Sequence, residues 1–228
     1  MTRRYHTIDL HNHTPLVSGD YRDAGTVTAE QLVRATARAG VDVLGVTDHF
    51  SVGFVSAMQD AARKQIESGG PSVLILPGAE LRITLDGDET HLVALFRPEA
   101  YERQFAEVCR LLHLNGQLAD PSSLPSLSVE ADPVEVVRFV DALGGMCHVG
   151  HVDRCFGAYC LKDTGMLDRL VDEAPISAVE VVESDSCLLL GDRMRHVSCI
   201  RSSDSHADDQ IGRRATILEL DEQSFDGL

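Results

Sequence analysis

The sequence predicts an α/β fold in which a parallel sheet closes into a barrel. Short runs of apolar and β-branched residues alternate with helical patterns along the 228 residues. Strands that alternate with helices are typical of parallel sheets, and about seven such units favour a barrel over an open sheet. Polar side chains follow nearly every predicted strand, and parallel α/β barrels have their active sites at these C-terminal strand ends. A doubly wound sheet would instead gather them at one switch point.

The strands and helices follow one another in a regular order. Thr28 and Gln31 form a capping box that begins a helix, and Gly40 ends it. Asp132 and Pro133 have the residue types of an N-cap and a first helical position. The predicted strands are 5–11, 41–46, 73–76, 91–96, 146–149, 178–182, 197–200 and 215–220. The predicted helices are 28–40, 54–67, one after Pro98, one after Asp132, 165–173 and 188–195.

Residues 116–131 are the least regular stretch of the chain. We interpret them as a surface excursion or a lid and not as a linker between domains. The chain contains no heptads, low-complexity segments or internal repeats. Residues 1–228 are therefore predicted to form a single domain.

The composition indicates a globular protein. Hydrophobic residues make up 43% of the chain, which permits a sizeable core. No apolar run approaches the ~20 residues that a membrane-spanning helix needs. The N-terminal residues lead directly to Asp9 without a signal-type apolar segment. We therefore expect a cytoplasmic protein with no membrane partner.

The chain is strongly acidic, with 36 acidic and 20 basic residues and a formal net charge of −16. Such a surface repels a long phosphate backbone, so non-specific binding to duplex nucleic acid is not expected. A small phosphorylated substrate remains compatible with this charge, because bound cations can reverse its sign locally.

The cysteines form no C-x-x-C pair, which argues against a cysteine-based zinc site. Several occur in apolar runs, where free buried thiols are ordinary, and a disulfide framework is not expected. The six cysteines are Cys109, Cys147, Cys155, Cys160, Cys187 and Cys199.

Histidines and carboxylates recur after the predicted strands. His11 and His13 are two residues apart in an extended stretch, so both side chains project to the same side and can bind one ion. This pattern alone is common on protein surfaces, but comparable residues follow the other strands. The full set is His11, His13, His49, Glu80, His91, His151, Asp204 and His206. Mixed histidine and carboxylate ligands suit Zn, Mn or Fe, and their number indicates two or three ions bridged by carboxylates.

Five ordered stretches resemble the motifs of the PHP (polymerase and histidinol phosphatase) family. They are Asp-Leu-His-Asn-His from Asp9, Thr-Asp-His from Thr47, Pro-Gly-Ala-Glu from Pro77, Gly-His-Val-Asp from Gly150 and Ser-Asp-Ser-His from Ser203. The similarity extends from about residue 7 to 207. It implies a distorted, parallel (β/α)7 TIM-like barrel with a trinuclear metal site, and it implies phosphoesterase activity.

The resemblance also implies a ligand set. The first ion would be bound by His11, His13, Glu80 and Asp204, the second by Glu80 as a bridge with His91 and His151, and the third by Asp20, His49 and His206. Asp20 lies later than the usual position of the loop ligand, so Asp23 is the alternative. His151 fits the motif better than His148, which is interpreted as a core or neighbouring residue. The loop after His13 resembles the subgroup whose PHP domain is often joined to a large ATPase.

The predicted activity is hydrolysis of a phosphomonoester by a metal-activated hydroxide, with two to three divalent ions of Mn, Zn or Fe. A nucleotide, an oligonucleotide end or another small phosphate would be the substrate. Arg154 and Arg213 are the predicted phosphate binders, and the further candidates are Arg82, Lys162 and Arg214. Asp48 and Asp153 are expected to orient neighbouring histidines.

Two other functions remain open. The chain could be a metal-binding module with a structural or regulatory role beside a separate ATPase or a nucleic-acid-processing partner. It could also be an amidohydrolase of similar architecture. Such enzymes usually place a lysine between two metals, and Lys64 and Lys162 are not at predicted strand ends, which counts against this class.

Overall fold

The computed structural model describes residues 4–16, 20–114, 117–154, 165–190 and 197–228. Its strands are β1 (Arg4–Asp9), β2 (Val43–Val46), β3 (Leu74–Leu85), β4 (Asp88–Leu95), β5 (Val129–Glu130), β6 (Met146–Val149), β7 (Ala178–Glu180), β8 (Ser198–Ile200) and β9 (Thr216–Leu220). Its helices are α1 (Ala29–Arg38), α2 (Val55–Glu67), α3 (Tyr101–Leu111), α4 (Pro133–Ala142), α5 (Met166–Glu173) and α6 (Ser186–Leu190).

All the strands belong to one mixed sheet. Their order is β8-β7-β6-β4-β3-β2-β1-β9, and β5 pairs with β3 outside this path. The pairs β1–β2, β2–β3, β6–β7 and β7–β8 are parallel as predicted. The pairs β3–β4, β4–β6 and β1–β9 are antiparallel, so the prediction of a fully parallel (β/α)7 sheet is wrong at these three places.

A tight hairpin explains the reversal at β4. Asp86 and Gly87 connect β3 to β4, and both have positive φ angles, of 55° and 90°. Asp-Gly with two positive φ angles matches the type I′ turn, whose twist suits a two-residue hairpin. The chain therefore turns straight back, and no helix lies between β3 and β4.

The sheet curls into a nearly closed barrel. Beyond the ends of β1 and β8, Asp204 N donates to His11 O at 2.9 Å and His13 N donates to Ser205 O at 3.0 Å. The Asp9 carboxylate, at the end of β1, accepts hydrogen bonds from the backbone N–H groups of Ser203 and Gly212. These contacts bring the loop that follows β8 against the loop that follows β1.

The helices cover the outside of the barrel, and their starts follow the predicted capping signals. Thr28 and Gln31 form the reciprocal capping box of α1, and Asp132 accepts a hydrogen bond from Val134 N at the start of α4. Among the described residues, no helix is both long and apolar enough to cross a membrane.

Aliphatic side chains fill the barrel beneath the polar end of the strands. Ile8, Val43, Leu76 and Val93 are at most 1% exposed and belong to one cluster inside the sheet. Gly45 is required where β2 passes β1, because an added Cβ would lie 2.3 Å from Leu10 O. This packing gives the site above it a solid floor.

The irregular stretch after α3 packs along the β3–β4 hairpin. It contains two 3-10 turns, Gln117–Ala119 and Pro121–Ser126, and it leads into β5 beside β3. Leu124 is buried, and the Arg82 guanidinium donates to the carbonyl of Pro125. The prediction of a surface excursion agrees with this path, whereas a lid role stays a prediction.

One pair of cysteines differs from the expectation of free thiols. Cys187 in α6 and Cys199 in β8 form a disulfide, with their Cα atoms 6.2 Å apart. The pairing arises because β7 and β8 are neighbours and α6 follows β7 closely. Cys109 and Cys147 are free, and Cys155 and Cys160 lie outside the described residues.

Candidate metal centre

Nine side chains from separate parts of the chain converge at one end of the barrel. They form three groups, in each of which the candidate ligand atoms lie within 4.8 Å of one another. The groups are His11, His13 and Asp204; Glu80, His91 and His151; and His13, Asp20, His49 and His206. These are the nine residues that the sequence predicts as metal ligands.

Glu80 is the centre of the arrangement and is 1% exposed. Its Oε2 lies 3.0 Å from His49 Nδ1, 3.3 Å from His13 Nε2 and 3.4 Å from His11 Nε2. Its Oε1 lies 2.6 Å from His91 Nδ1 and 3.3 Å from His151 Nε2. Both carboxylate oxygens therefore face imidazoles, which is the arrangement that a bridging ligand needs.

Asp204 closes one side of this centre. Its Oδ1 lies 3.3 Å from His13 Nε2 and 3.6 Å from His11 Nε2. The same nitrogens also face Glu80, so the two carboxylates and the two histidines surround a common space. This is the combination that the family resemblance implies for the first ion.

Asp20 closes the other side. Its Oδ2 lies 3.4 Å from His206 Nε2, 3.7 Å from His13 Nδ1 and 3.8 Å from His49 Nε2. The alternative residue, Asp23, has a side chain that is 75% exposed and faces Arg22. The loop thus brings Asp20 into the centre and leaves Asp23 on the surface.

Two of the nine residues do not follow strand ends. Glu80 lies in the middle of β3, and His91 lies near the start of β4. Because β4 runs antiparallel to β3, its beginning, and not its end, reaches the same side of the barrel as Glu80. The expectation that every ligand follows a strand is therefore wrong here, although the residues themselves are brought together.

The backbone is constrained where the chain enters the site. His151, Asp204 and Phe50 have positive φ angles of 27°, 50° and 44°. Such angles are rare for residues other than glycine and persist only where surrounding contacts hold them. Asp204 N donates to His11 O, and Phe50 N donates to Glu80 O, at 2.9 and 3.0 Å.

The donor atoms fit divalent cations. Several buried imidazole nitrogens have no hydrogen-bond partner among the described residues: His11 Nε2, both nitrogens of His13, His49 Nδ1 and His151 Nδ1. A buried polar atom without a partner costs about 1–3 kcal/mol. Most of these nitrogens face the carboxylates of Glu80, Asp20 or Asp204, as metal ligands of mixed histidine and carboxylate sites do.

The charges in the centre influence one another strongly. Burial by itself lowers the pKa of His13, but hydrogen bonds and charge from Asp204 and Glu80 outweigh burial and raise the pKa to about 10. Burial lowers the pKa of His49 to about 4. For Glu80, burial opposes ionisation, yet the charges of His11, His49 and His91 hold its pKa well below the usual range. The carboxylates thus favour positive charge on His13, whereas burial favours the neutral form of His49.

Sequence reasoning missed a second layer of acidic residues, of which Glu180 is buried and Glu89 is partly buried. Glu180 Oε2 lies 3.1 Å from His11 Nδ1 and 3.3 Å from His148 Nε2. Glu89 lies 3.3 Å from His91 Nε2 and accepts hydrogen bonds from Arg82. The signal for Glu180 was its place in the apolar run Ala-Val-Glu-Val-Val, because a glutamate in a buried strand is rarely left unpaired.

Asp48 and Asp153 have a different role from the predicted one. Asp48 accepts hydrogen bonds from the N–H and hydroxyl of Thr14, both at 2.7 Å. Asp153 accepts hydrogen bonds from the N–H groups of Val182 and Glu183. Both aspartates therefore fix the backbone of loops near the site, and within the described part of the chain their hydrogen bonds go to no histidine.

The candidate cations differ in their position. Arg213 lines a pocket of about 340 Å³ together with Asp204 and His206, and it pairs with Asp209 at 3.2 Å. Arg214 lines the same pocket, but its guanidinium donates to the carbonyl oxygens of Ser202 and Ser203.

The remaining cations lie elsewhere. Arg154 is half exposed and lies 3.3 Å from Glu183. Arg82 pairs with Glu89, beside His91. Lys64 lies in α2 and faces Glu30, and Lys162 is outside the described residues.

Comparison with known proteins identifies the family. A family model described as PHP domain matches residues 9–183, which is more than half of the chain. The chain belongs to the PHP domain family. Four of the five motifs that predicted this membership lie inside the matched range, and the one that carries Asp204 and His206 follows it.

Individual relatives match smaller parts of the chain or only its fold. The 5'-3' exoribonuclease Rnm of Salmonella typhimurium is 32% identical over 87 residues, which cover 38% of this chain and 26% of that protein. The alignment thus spans about a quarter of the relative's own length.

Two solved structures show the same fold at low identity. Endonuclease Q of Pyrococcus furiosus, a lesion-specific endonuclease, has a TM-score of 0.73 at 15% identity. The match covers 98% of this chain and 55% of the endonuclease chain. A Bifidobacterium adolescentis protein provisionally assigned as a metal-dependent phosphoesterase has a TM-score of 0.61 at 18% identity and covers 92% of both chains.

Proposed function

We propose that the chain is a metal-dependent phosphoesterase that hydrolyses a phosphomonoester at a centre of two to three divalent ions. One observation carries the proposal: five imidazoles surround the buried carboxylate of Glu80 at 2.6 to 3.4 Å. A carboxylate with both oxygens shared among histidines is suited to bridge ions. Membership of the PHP domain family supports the same activity.

The proposed ligands divide into three overlapping sets. His11, His13, Glu80 and Asp204 would hold one ion; Glu80, His91 and His151 a second; and Asp20, His49 and His206 a third. When bound, Mn, Zn or Fe ions polarise a phosphoryl oxygen and acidify a coordinated water, which becomes the nucleophile. The chain would contribute the carboxylates of Asp20, Glu80 and Asp204. Their charge is smaller than that of two or three divalent ions, which leaves the centre suited to a phosphate dianion.

We further propose that Arg213 binds a second anionic group of the substrate. Its guanidinium lines the pocket that Asp204 and His206 also border, so a phosphate at the centre would leave its organic part near Arg213. Arg154 is the second candidate for this role and lies three residues after His151. A substrate with two anionic groups, such as a nucleotide or an oligonucleotide end, fits this arrangement. The names of Rnm and endonuclease Q agree with nucleic acid as the source of the ester.

The second candidate function is a metal-binding module that serves a separate partner, such as an ATPase. This function is favoured because the match to this chain takes up only part of Rnm and only part of endonuclease Q, both of which are longer chains. We propose that residues 1–228 act as one phosphoesterase domain and that this domain does not need a partner for hydrolysis.

The test is metal content per chain, measured together with hydrolysis of a generic aryl phosphate on the same manganese-supplemented sample. We expect two to three ions per chain and turnover that a chelator removes. Full metal occupancy without hydrolysis of any phosphate ester would favour the partner-dependent module. No bound metal under any supplementation would contradict both functions.

A further inference from the structure

Glu180 is a buried carboxylate outside the five motif stretches named above and outside the predicted ligand sets. We propose that it is a positioning residue, which holds the imidazole of His11 so that Nε2 faces the metal centre. The inference rests on the proposed function, because it gives His11 a ligand role. It adds a residue outside the nine predicted ligands.

The two nitrogens of His11 face two different carboxylate environments. Nδ1 lies 3.1 Å from Glu180 Oε2 and 3.3 Å from Glu180 Oε1. Nε2 lies 3.4 Å from Glu80 Oε2 and 3.6 Å from Asp204 Oδ1. A carboxylate beside Nδ1 favours the tautomer that carries its hydrogen there, which leaves the Nε2 lone pair directed at the centre. Metal-binding histidines commonly donate their second N–H to a carboxylate in this way.

The surroundings of Glu180 distinguish a positioning role from a ligand role. His11, His148 and Glu180 form a donor group of their own within 4.8 Å. However, the Glu180 oxygens are already occupied, because Oε2 also lies 3.3 Å from His148 Nε2 and Oε1 accepts from His151 N at 3.3 Å. A carboxylate with these partners is satisfied without an ion. We therefore assign this group to support of the centre and not to a fourth ion.

The contact spans the inside of the barrel. Glu180 belongs to β7 and His11 follows β1, and these strands are not neighbours in the sheet. Val179 and Val181, on either side of Glu180, are fully buried, and Glu180 itself is 0% exposed. A buried carboxylate without a partner would strongly destabilise the fold. The contacts of Glu180 to His11 and His148 are therefore expected to persist. Glu180 can thus fix the ring of His11 across the barrel.

The experiment measures the His11 ring and the metal affinity separately. Imidazole ¹⁵N NMR of the Zn²⁺-loaded protein, in which the bound ion is diamagnetic and the ring is neutral, reports the tautomer of His11, and calorimetric titration with Mn²⁺ reports the affinity of each class of site. For wild type we expect hydrogen on Nδ1. For Glu180→Ala we expect loss of this fixed tautomer. For Glu180→Gln, which keeps an acceptor but removes the charge, we expect the tautomer to be retained.

The affinity change should be confined to one ion. Loss of a carboxylate behind a metal-binding histidine typically lowers affinity by about 10- to 100-fold. We expect this loss in Glu180→Gln for one class of site per chain, with the other sites unchanged. Glu135→Gln, on the exposed surface of α4, is the matched control, because it makes the same substitution away from the centre. We expect it to bind Mn²⁺ as wild type does.

Three results would overturn the positioning role. They are hydrogen on Nε2 of His11 in wild type, unchanged Mn²⁺ affinity in both Glu180 variants, and an equal loss at every site in Glu180→Gln. If Glu180→Ala does not fold, the wild-type tautomer and the isosteric Glu180→Gln still decide the question. If wild type binds no metal at all, the proposed function fails, and ¹⁵N NMR of the metal-free protein still shows whether the Nδ1–H of His11 is hydrogen-bonded in wild type and loses that bond in Glu180→Ala.

Discussion

The two sides of the metal centre are built from different kinds of structure. On the strand side, Glu80 and His91 lie within the β3–β4 hairpin and are buried. On the loop side, the side chains of Asp20, Asp204 and His206 are 18%, 29% and 31% exposed. The strand side is fixed by the backbone ladder of the sheet. The loop side depends on side chains that tie one loop to another.

Two buried aspartates provide those ties. Asp9 accepts hydrogen bonds from Ser203 and Gly212, which frame the loop that contains Asp204. Asp48 accepts two hydrogen bonds from Thr14, at the start of the loop that leads to Asp20. We therefore expect changes on the strand side to abolish the centre and changes on the loop side to weaken parts of it.

The largest effect is expected from Glu80→Gln, on the strand side. The substitution removes the charge that five imidazoles share, so the two ions whose ligand sets include Glu80 should be lost, and activity with them. Elemental analysis after manganese supplementation measures the ions per chain. Glu67→Gln, on the exposed surface of α2, is the control and should keep full metal content. A Glu80→Gln protein with wild-type metal content would refute the bridging role.

A smaller effect is expected from Asp20→Asn, on the loop side. Asp20 faces only one of the three donor groups, so the variant should lose one ion per chain and retain the others. Asp23→Asn is a matched control in the same loop, because the Asp23 side chain is on the surface. Metal content of both variants would be measured in parallel. Loss of an ion in Asp23→Asn and not in Asp20→Asn would reverse the assignment.

Arg213→Ala tests the substrate side of the loop region. A charge-assisted hydrogen bond contributes about 1.5–3 kcal/mol, so loss of Arg213 should raise KM by roughly tenfold for a substrate with a second phosphate. The KM for a simple aryl phosphate should not change. Steady-state kinetics with both substrates gives the comparison, and Arg110→Ala, on the surface of α3, is the control. An equal effect on both substrates would contradict the role of Arg213 in binding a second anionic group.

The smallest effect concerns the tie made by Asp9. Burial raises the pKa of Asp9 to about 6, above its ordinary value of 3.8. Between these values the folded chain binds more protons than the unfolded chain, so this group makes the free energy of unfolding fall as the pH rises. Asp9→Asn removes the contribution. Denaturant unfolding of the metal-free protein at pH 4 to 6 should therefore show a smaller fall in the free energy of unfolding for the variant than for wild type. Identical pH profiles of the two proteins would contradict a raised pKa of Asp9.

The sequence was most informative where chemistry and order along the chain coincide. Residues such as His11, His13 and Asp204 could be predicted because they stand in ordered motifs beside apolar strands. The antiparallel β4 was not predicted, because a fully parallel sheet was expected, although the dipeptide Asp86-Gly87 is a strong hairpin signal.

Other features depend on contacts between distant parts of the chain. Asp20 and Asp23 differ only in how the loop folds back onto His206, and no local pattern encodes that path. Glu180 and the pairing of Cys187 with Cys199 likewise require knowledge of which strands are neighbours. For Glu180, the apolar run around it could have indicated burial, but not its partner.

The most direct test of the shared role of Glu80 is an anomalous difference map from crystals of the manganese-loaded protein. We expect two or three peaks, with Glu80 between at least two of them and with Asp204 and Asp20 on opposite sides. Peaks at the three donor groups that leave Glu80 uncoordinated would contradict the bridging role, and a map without peaks at this end of the barrel would contradict the metal centre itself.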